Sequence, residues 1–321
     1  HPGLAHYIIH AYDVPALAPL ARQAAARYAD IAPSAAHALH MPSHTFTRVG
    51  MWRESAATNL KSIESARASS SISEMLHASD YLMYAYLQLR SDSLAQRVLN
   101  GLPSLAEHFD PNPITGAAPG SAGIFALAAI PARWALERRD WKQAATLAPR
   151  TTTLGYADAV TYLTRALGAA HIGDSATARS SIDSLDAIRE RLLGAQETYW
   201  GEQVAIQSLE ARAALAFASG RREEATSLMR EACTREDATE KSAVTPGPLA
   251  PAHELYGDML LDANRSADAL TEYRTTMTKE PGRFRTLYGA LKAARATGDK
   301  AQAARYAQEL QRLTGSKLYS E

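Results

Sequence analysis

Six of the ten histidines fall within the first 44 residues: His1, His6, His10, His37, His40 and His44. His6 and His10 are four residues apart, as are His40 and His44, so on a helix each couple shares one face. His37 precedes His40 by one turn. The couples themselves recur, because His6 to His40 and His10 to His44 are both 34 residues. Imidazole is a favoured ligand for zinc, copper and iron, and two imidazoles four apart on a helix make half a site. The spacing therefore predicts a divalent transition-metal site (zinc, copper or iron) ligated by His6, His10, His40 and His44. Asp13, His37, His77 and Asp80 are candidates for further ligands, or for groups that orient the imidazoles. Two alternatives use the same residues. One is a set of neutral histidines hydrogen-bonded inside a polar groove. The other is an anion site in which protonated histidines join Arg48 and Arg133.

Such a site needs helices that hold the couples against each other. An apolar stretch, a Gly/Asn/Asp turn and small residues at helical spacing recur along the chain. The turns fall at Gly50, Arg139-Asp140, Gly173-Asp174, Gly220-Arg221, Asn264-Arg265 and Gly298-Asp299, with a weaker copy at Arg90-Ser91. Apolar alternation of the strand kind is missing, and Ala, Leu, Arg and Glu dominate, so helices are expected throughout. Two turn-to-turn intervals, 139 to 173 and 264 to 298, are 34 residues each. Each unit reads as two antiparallel helices, and one such hairpin cannot bury its apolar face alone.

This pattern resembles the tetratricopeptide repeat, whose period is 34 residues with small residues at fixed places. Gly257, Ala269, Thr276 and Pro281 match four of its consensus places, and Ala213, Gly220, Ala225 and Ala232 match another repeat. The resemblance covers nearly the whole chain in about eight repeats. It implies an all-α, right-handed α-solenoid of stacked antiparallel helix pairs. In that register His6 and His10, and again His40 and His44, take the same two groove-lining places of a first helix. Thr47, Arg48, Tyr84 and Arg133 join them as groove residues. First helices of neighbouring repeats lie about 8–10 Å apart at the axis, which would face the imidazoles across one gap.

A narrower resemblance rests on HPGLAHYIIHAYD (residues 1–13), HALHMPSHTF (37–46) and AIPAR (129–133). These segments look like signatures of a largely uncharacterised group of bacterial tetratricopeptide-repeat proteins. That group supplies no activity, and it implies that a further N-terminal portion of the same chain precedes His1. The expected organisation is His-rich repeats over 1–100, a Pro/Gly-rich loop or seam over 101–123, central repeats over 124–241 and C-terminal repeats over 242–315. Pro42 predicts a kink, or a helix that begins near Pro42 after a turn carrying His37 and His40. Pro131 raises the same question further along.

Composition narrows the function. The 34 basic residues equal the 34 acidic ones, which argues against nucleic acid and against membrane surfaces as partners. No apolar run approaches the roughly 18 residues of a membrane span. The single cysteine, Cys233, forbids an internal disulfide and any Cys-based zinc finger, and sits where a buried thiol is expected. Low cysteine content leans slightly towards an extracytoplasmic (periplasmic) home. No phosphate-binding Gly-rich loop and no Gly-x-Ser-x-Gly elbow is present. The expectation is a repeat-based binding protein with a divalent transition-metal site in its N-terminal concave groove, with metal-dependent chemistry left open. The alternative is a scaffold that binds a peptide or partner protein along the same face without metal.

Overall fold

A computed structural model describes residues 2–113 and 116–316; His1 lies outside the described residues. These residues are all-helical, with no strand among them. In chain order the helices are α1 (Pro2–Ala11), α2 (Ala18–Ile31), α3 (Ala36–His40), α4 (Pro42–Arg48), α5 (Trp52–Ala68), α6 (Ile72–Gln88), α7 (Asp92–Glu107), α8 (Gly120–Arg138) and α9 (Trp141–Thr146). They continue as α10 (Gly155–His171), α11 (Ser175–Gly194), α12 (Thr198–Ala218), α13 (Arg222–Asp237), α14 (Ala252–Asp262), α15 (Ser266–Lys279), α16 (Phe284–Ala296) and α17 (Lys300–Thr314).

The ends of these helices follow from local chemistry. Gly50, Arg90, Arg139, Gly173, Gly220, Asn264 and Gly298 all have positive φ, between 53° and 79°. Each stands where the sequence calls for a turn. The left-handed residue lets the chain satisfy the last free carbonyls of the helix before it: beyond Gly173, for example, the Asp174 amide donates to Ala169 O at 2.9 Å. The next helix is then capped by a carboxylate. Asp140, Asp174 and Asp299 each accept from the amide three residues on, at 3.0 Å. Ser70 and Gln196 make equivalent turns, but carry neither Gly nor Asn and so gave no sequence signal.

Neighbouring helices pack in pairs: α5 on α6, α10 on α11, α12 on α13, α14 on α15 and α16 on α17. In addition α6 packs on α8, α8 on α10, α10 on α12, α12 on α14 and α14 on α16, and α16 returns to touch α6. Small residues permit these approaches. A Cβ at Gly257 would lie 2.8 Å from the Tyr273 ring, and one at Gly168 would lie 2.5 Å from Ala145 N. Helix α6 is the most enclosed, with every residue from Ser73 to Gln88 buried.

Contacts between the chain's two ends fix the inner side. Trp52, only 2 % exposed, donates its indole N–H to Gly282 O at 2.8 Å. The Phe284 amide donates to Gln88 Oε1 at 2.8 Å. Gly50 meets Pro281 so closely that a Cβ there would stand 2.7 Å from the Pro281 carbonyl oxygen. Arg283 pairs with Glu137 and Glu254 and donates to the Tyr84 hydroxyl.

Two proline expectations resolve differently. Pro42 opens α4, and Met41 bridges α3 to α4 with helical φ −50° and ψ −39°. The histidine-bearing segment is thus two short helices in near-continuity rather than one bent rod. Pro131 lies inside α8, which runs unbroken from Gly120 to Arg138. The stretch expected to be loop from residue 101 is helical through Glu107, with Pro103 inside α7. No helix of the described residues is long and apolar enough to cross a membrane.

The interior also encloses acid. Glu210 is buried and makes no ion pair among the described residues. Burial, and then the nearby Glu236 charge, hold its carboxyl well above the usual range; Glu236 is itself pushed up to about 7, chiefly by burial. A folded-state pKa above the unfolded one means that the native chain binds more protons, so stability falls as pH rises through that interval. Glu210→Gln is therefore expected to stabilise the protein by about 1–2 kcal/mol at pH 8 and by almost nothing at pH 4. Urea unfolding at the two pH values measures the difference, and equal effects at both would refute it.

Candidate metal centre

The site is assembled from three successive inner helices and one outer one. Helix α1 contributes His6 and His10, the α3–α4 segment contributes His37, His40 and His44, and α6 contributes His77. Ring centroids form a continuous chain: His6–His10 4.6 Å, His6–His37 5.3 Å, His37–His40 6.0 Å, His10–His44 5.3 Å, His40–His44 5.0 Å and His40–His77 4.4 Å.

The four imidazoles grouped by the 34-residue repeat do not form one ligand set. They divide between two triads, His6/His10/His37 and His40/His44/His77. In each, one nitrogen from every ring lies within 4.8 Å of the other two. His37 and His77, expected as auxiliaries, supply the third ring of each triad. The reason is geometric. The α3–α4 segment lies between α1 and α6, so His37 and His40, three residues apart around a short helix, serve opposite neighbours.

Hydrogen bonds fix the tautomers of two rings of the buried triad, His40 and His44. Asn59 donates its Nδ2 to Ser55 O at 2.7 Å, which turns its Oδ1 towards His40 Nδ1, 2.7 Å away. That oxygen only accepts, so His40 Nδ1 carries the proton. His44 Nδ1 lies 2.9 Å from Asp13 Oδ2 and donates to it. In both neutral rings the lone pair is then on Nε2, and these two atoms face each other at 3.1 Å. His77 stands beside them with its Nδ1 buried and unpartnered. His40 and His44 are 1 % exposed and His77 5 %.

Burial drives all six imidazoles towards the neutral form. It is the largest cause of the lowered pKa of His6, His10, His40, His44 and His77, and it takes His37 down to about 4. Neighbouring histidines add to this, and for His44 the Asp13 carboxylate opposes it. Neutral imidazole is the form that binds metal.

Asp13 belongs to the supporting shell. Its carboxylate accepts from His44 Nδ1, from Arg48 Nε at 3.1 Å and from Lys241 Nζ at 2.5 Å. Burial opposes its charge, but Lys241, His44 and Arg48 together hold it far below the ordinary carboxylate range. Arg48 also reaches Glu240 and Glu280, each at 3.3 Å. The Tyr81 hydroxyl sits 3.2 Å from His44 Nδ1 and donates to Thr245 O at 3.1 Å.

The other candidates are committed elsewhere. Asp80 accepts from Arg133 Nε at 2.7 Å, and neither triad includes it. Arg133 also donates to Thr245 Oγ1 and Gly247 O, and so holds the 242–251 segment rather than an anion. Arg48, likewise, is saturated by carboxylates. Thr47 bonds Ser55 at 3.0 Å, and the Tyr84 hydroxyl accepts from Arg283. The segment 242–251, between α13 and α14, reaches the edge of the cluster, where Ala243 O and Thr245 O accept from the Tyr81 hydroxyl. Asn59 and Lys241 gave no sequence signal. Asn59 lies on the outer helix α5, and Lys241 lies 228 residues from the carboxylate it pairs with.

A third cluster, Cys233, His253 and Glu272, also meets the distance condition. There both ring nitrogens of His253 face carboxylates, Glu272 at 2.5 Å and Asp237 at 3.1 Å, which raise its pKa against the effect of burial. It is satisfied as an imidazolium, and the Cys233 thiol is pushed up by burial, so neither offers a ready ligand.

No protein-family model matches the chain, and comparison with curated proteins found no match.

Proposed function

We propose that this protein is a tetratricopeptide-like helical solenoid that holds a divalent transition-metal ion through His40, His44 and His77. What carries the reading is the His40–His44 contact. Two Nε2 atoms whose lone pairs point at each other across 3.1 Å repel unless a cation lies between them. Nitrogens bound to one zinc at about 2.0–2.1 Å, at a tetrahedral angle, stand about 3.3 Å apart. Their Nδ1 protons are held by an amide and a carboxylate, as in the supporting shells of imidazole–metal sites. The repeat reading is supported by the paired helices, their left-handed turn residues and the stacking of α6, α8, α10, α12, α14 and α16.

Three nitrogens suit zinc, copper or iron and leave a position for a further ligand. When bound, the ion would supply Lewis acidity. The residues around it are occupied with positioning: Asp13 is clamped ionised by two cations, and Tyr81, with its pKa raised chiefly by burial, donates to a carbonyl. That allocation favours metal holding over metal-dependent hydrolysis.

One observation favours the ligand-binding alternative. A cleft lies between α8, α10, α12 and the 239–251 segment, walled by Phe125, Tyr156 and Trp200, the last two stacked at 3.8 Å.

Elemental analysis of the untagged full chain, after zinc supplementation and gel filtration, separates the readings. At least one equivalent is expected. A content below about 0.2 equivalents, typical of adventitious loading rather than a folded site, would overturn the metal reading.

A further inference from the structure

The buried triad accounts for only half of the histidine cluster. His6, His10 and His37 form a second set of three nitrogens within 4.8 Å of one another, on the side of the cluster nearer solvent. Their rings are only partly buried. They are nevertheless built in rather than loose. The next turns of α1 are pinned by Ile9, which is fully buried, and Tyr28 of α2 and Met41 pack into the same apolar cluster. His37 presents a buried Nδ1 with no hydrogen-bond partner, an unsatisfied polar atom of the kind a bound ion explains. The two triads abut at two points, His10 against His44 and His37 against His40, with centroids 5.3 and 6.0 Å apart.

We propose that His6, His10 and His37 hold a second divalent transition-metal ion, so that the N-terminal helices carry a two-metal centre with an exchangeable outer ion beside a buried inner one. The inference rests on reading imidazole triads as ligand sets, but it uses different residues from the inner site and is separable from it. Open access to the outer triad and enclosure of the inner one imply ordered loss of the ions. A chelator strips the outer ion first, and the inner one leaves only as the helices around it open.

The test uses the full chain, freed of metal and titrated with Co²⁺, with Cu²⁺ as a second probe. Two equivalents are expected in the parent protein, removed by EDTA in two phases whose rates differ at least tenfold. The His6→Ala, His10→Ala double variant should retain one equivalent and only the slow phase. A His40→Ala, His77→Ala variant should retain one equivalent and only the fast phase. His37→Gln, a milder change, should also drop the count to one, with far-UV circular dichroism unchanged in every case. With Cu²⁺, spin–spin broadening in the electron paramagnetic resonance spectrum should appear in the parent and vanish in each variant. One equivalent in the parent, unaffected by loss of His6 and His10, would overturn the second ion and leave the inner site standing. A single equivalent in the parent that disappears in both double variants would mean one shared ion and would equally overturn it. No bound metal at all would dismiss both readings.

Discussion

The His40→Ala, His44→Ala double variant is expected to lose the inner ion while keeping its helices. Removing two of three ligands goes beyond loss of a supporting partner, which alone costs about 10- to 100-fold in affinity, so a fall of more than about 100-fold is expected. The loss should also appear as stability. A ligand at 100 times its dissociation constant adds about 2.7 kcal/mol to a folded state that alone binds it, and that metal-dependent gain should disappear at the inner site. The metal-free variant should lose less, because the parent without metal already carries the opposed lone pairs of His40 and His44. Thermal unfolding with and without Zn²⁺, followed by circular dichroism at 222 nm, measures both quantities. Loss of helicity in the metal-free variant would show the imidazoles to be structural, and an undiminished response to Zn²⁺ would remove them from the ligand set. Acidification supports the same test. Protons compete with metal for imidazole, and burial holds the pKa values of His40, His44 and His77 well below the ordinary one. The ion should therefore survive pH 6 and leave only on further acidification, not as pH rises. Retention unchanged well below that value would contradict imidazole ligation.

Most of the fold was legible in the sequence, and the reason lies at the turns. Gly50, Gly173, Gly220 and Gly298 advertise a left-handed residue because glycine adopts it without steric cost, and Asp140, Asp174 and Asp299 advertise the caps that follow. Where Ser70 and Gln196 take the same conformation, the signal vanishes and the boundary must come from packing. The histidine cluster was legible because identical residues recur at the helix-pair period, which carries one face of α1 onto the same face of the α3–α4 segment. How the rings divide was not. That division depends on the α3–α4 segment being wedged between α1 and α6, a tertiary fact that no spacing encodes. The partners that fix the tautomers were illegible for a different reason. Asn59 reaches His40 from a second helix that sequence periodicity marks only as amphipathic. Lys241 reaches Asp13 because the chain's far end folds back across the inner face. The same closure explains why the groove residues Arg48, Tyr84 and Arg133 are occupied: Glu240, Glu280, Arg283 and the 245–247 turn reach them from the far part of the chain, whereas Thr47 is taken by Ser55 at the start of α5.

Asp13→Asn should produce the largest loss of stability of any single polar substitution near the site, about 3–5 kcal/mol, the usual cost of stranding a buried charge. Three donors converge on this carboxylate, and they do not suffer equally. Arg48 keeps Glu240 and Glu280. His44 keeps an acceptor, since an asparagine oxygen can receive its Nδ1 proton. Lys241 keeps no ion pair: its side chain is 4 % exposed, Asp13 is its sole ion-pair partner among the described residues, and only the more distant Glu280 carboxylate still favours its charge. The cost should therefore be a lysine effect. If so, Lys241→Met in the Asp13→Asn background, which removes the stranded ammonium, should recover most of the lost stability, a coupling that a double-mutant cycle reads directly. The pH dependence has a defined sign. Because the folded carboxyl titrates below its unfolded value, its contribution is complete above the unfolded pKa and fades only as pH falls beneath it, so the gap between parent and variant should be constant from pH 8 to about pH 5 and narrow below that. Metal affinity should follow a separate rule. The imidazole of His44 loses a charged acceptor whether or not Lys241 is present, so the double variant should regain stability and still bind the inner ion about 10- to 100-fold more weakly than the parent. If Lys241→Met restored affinity along with stability, the role of Asp13 would be confined to folding. If Asp13→Asn cost less than about 1 kcal/mol, the range of a solvent-exposed ion pair, the buried network around the histidines would not exist as described.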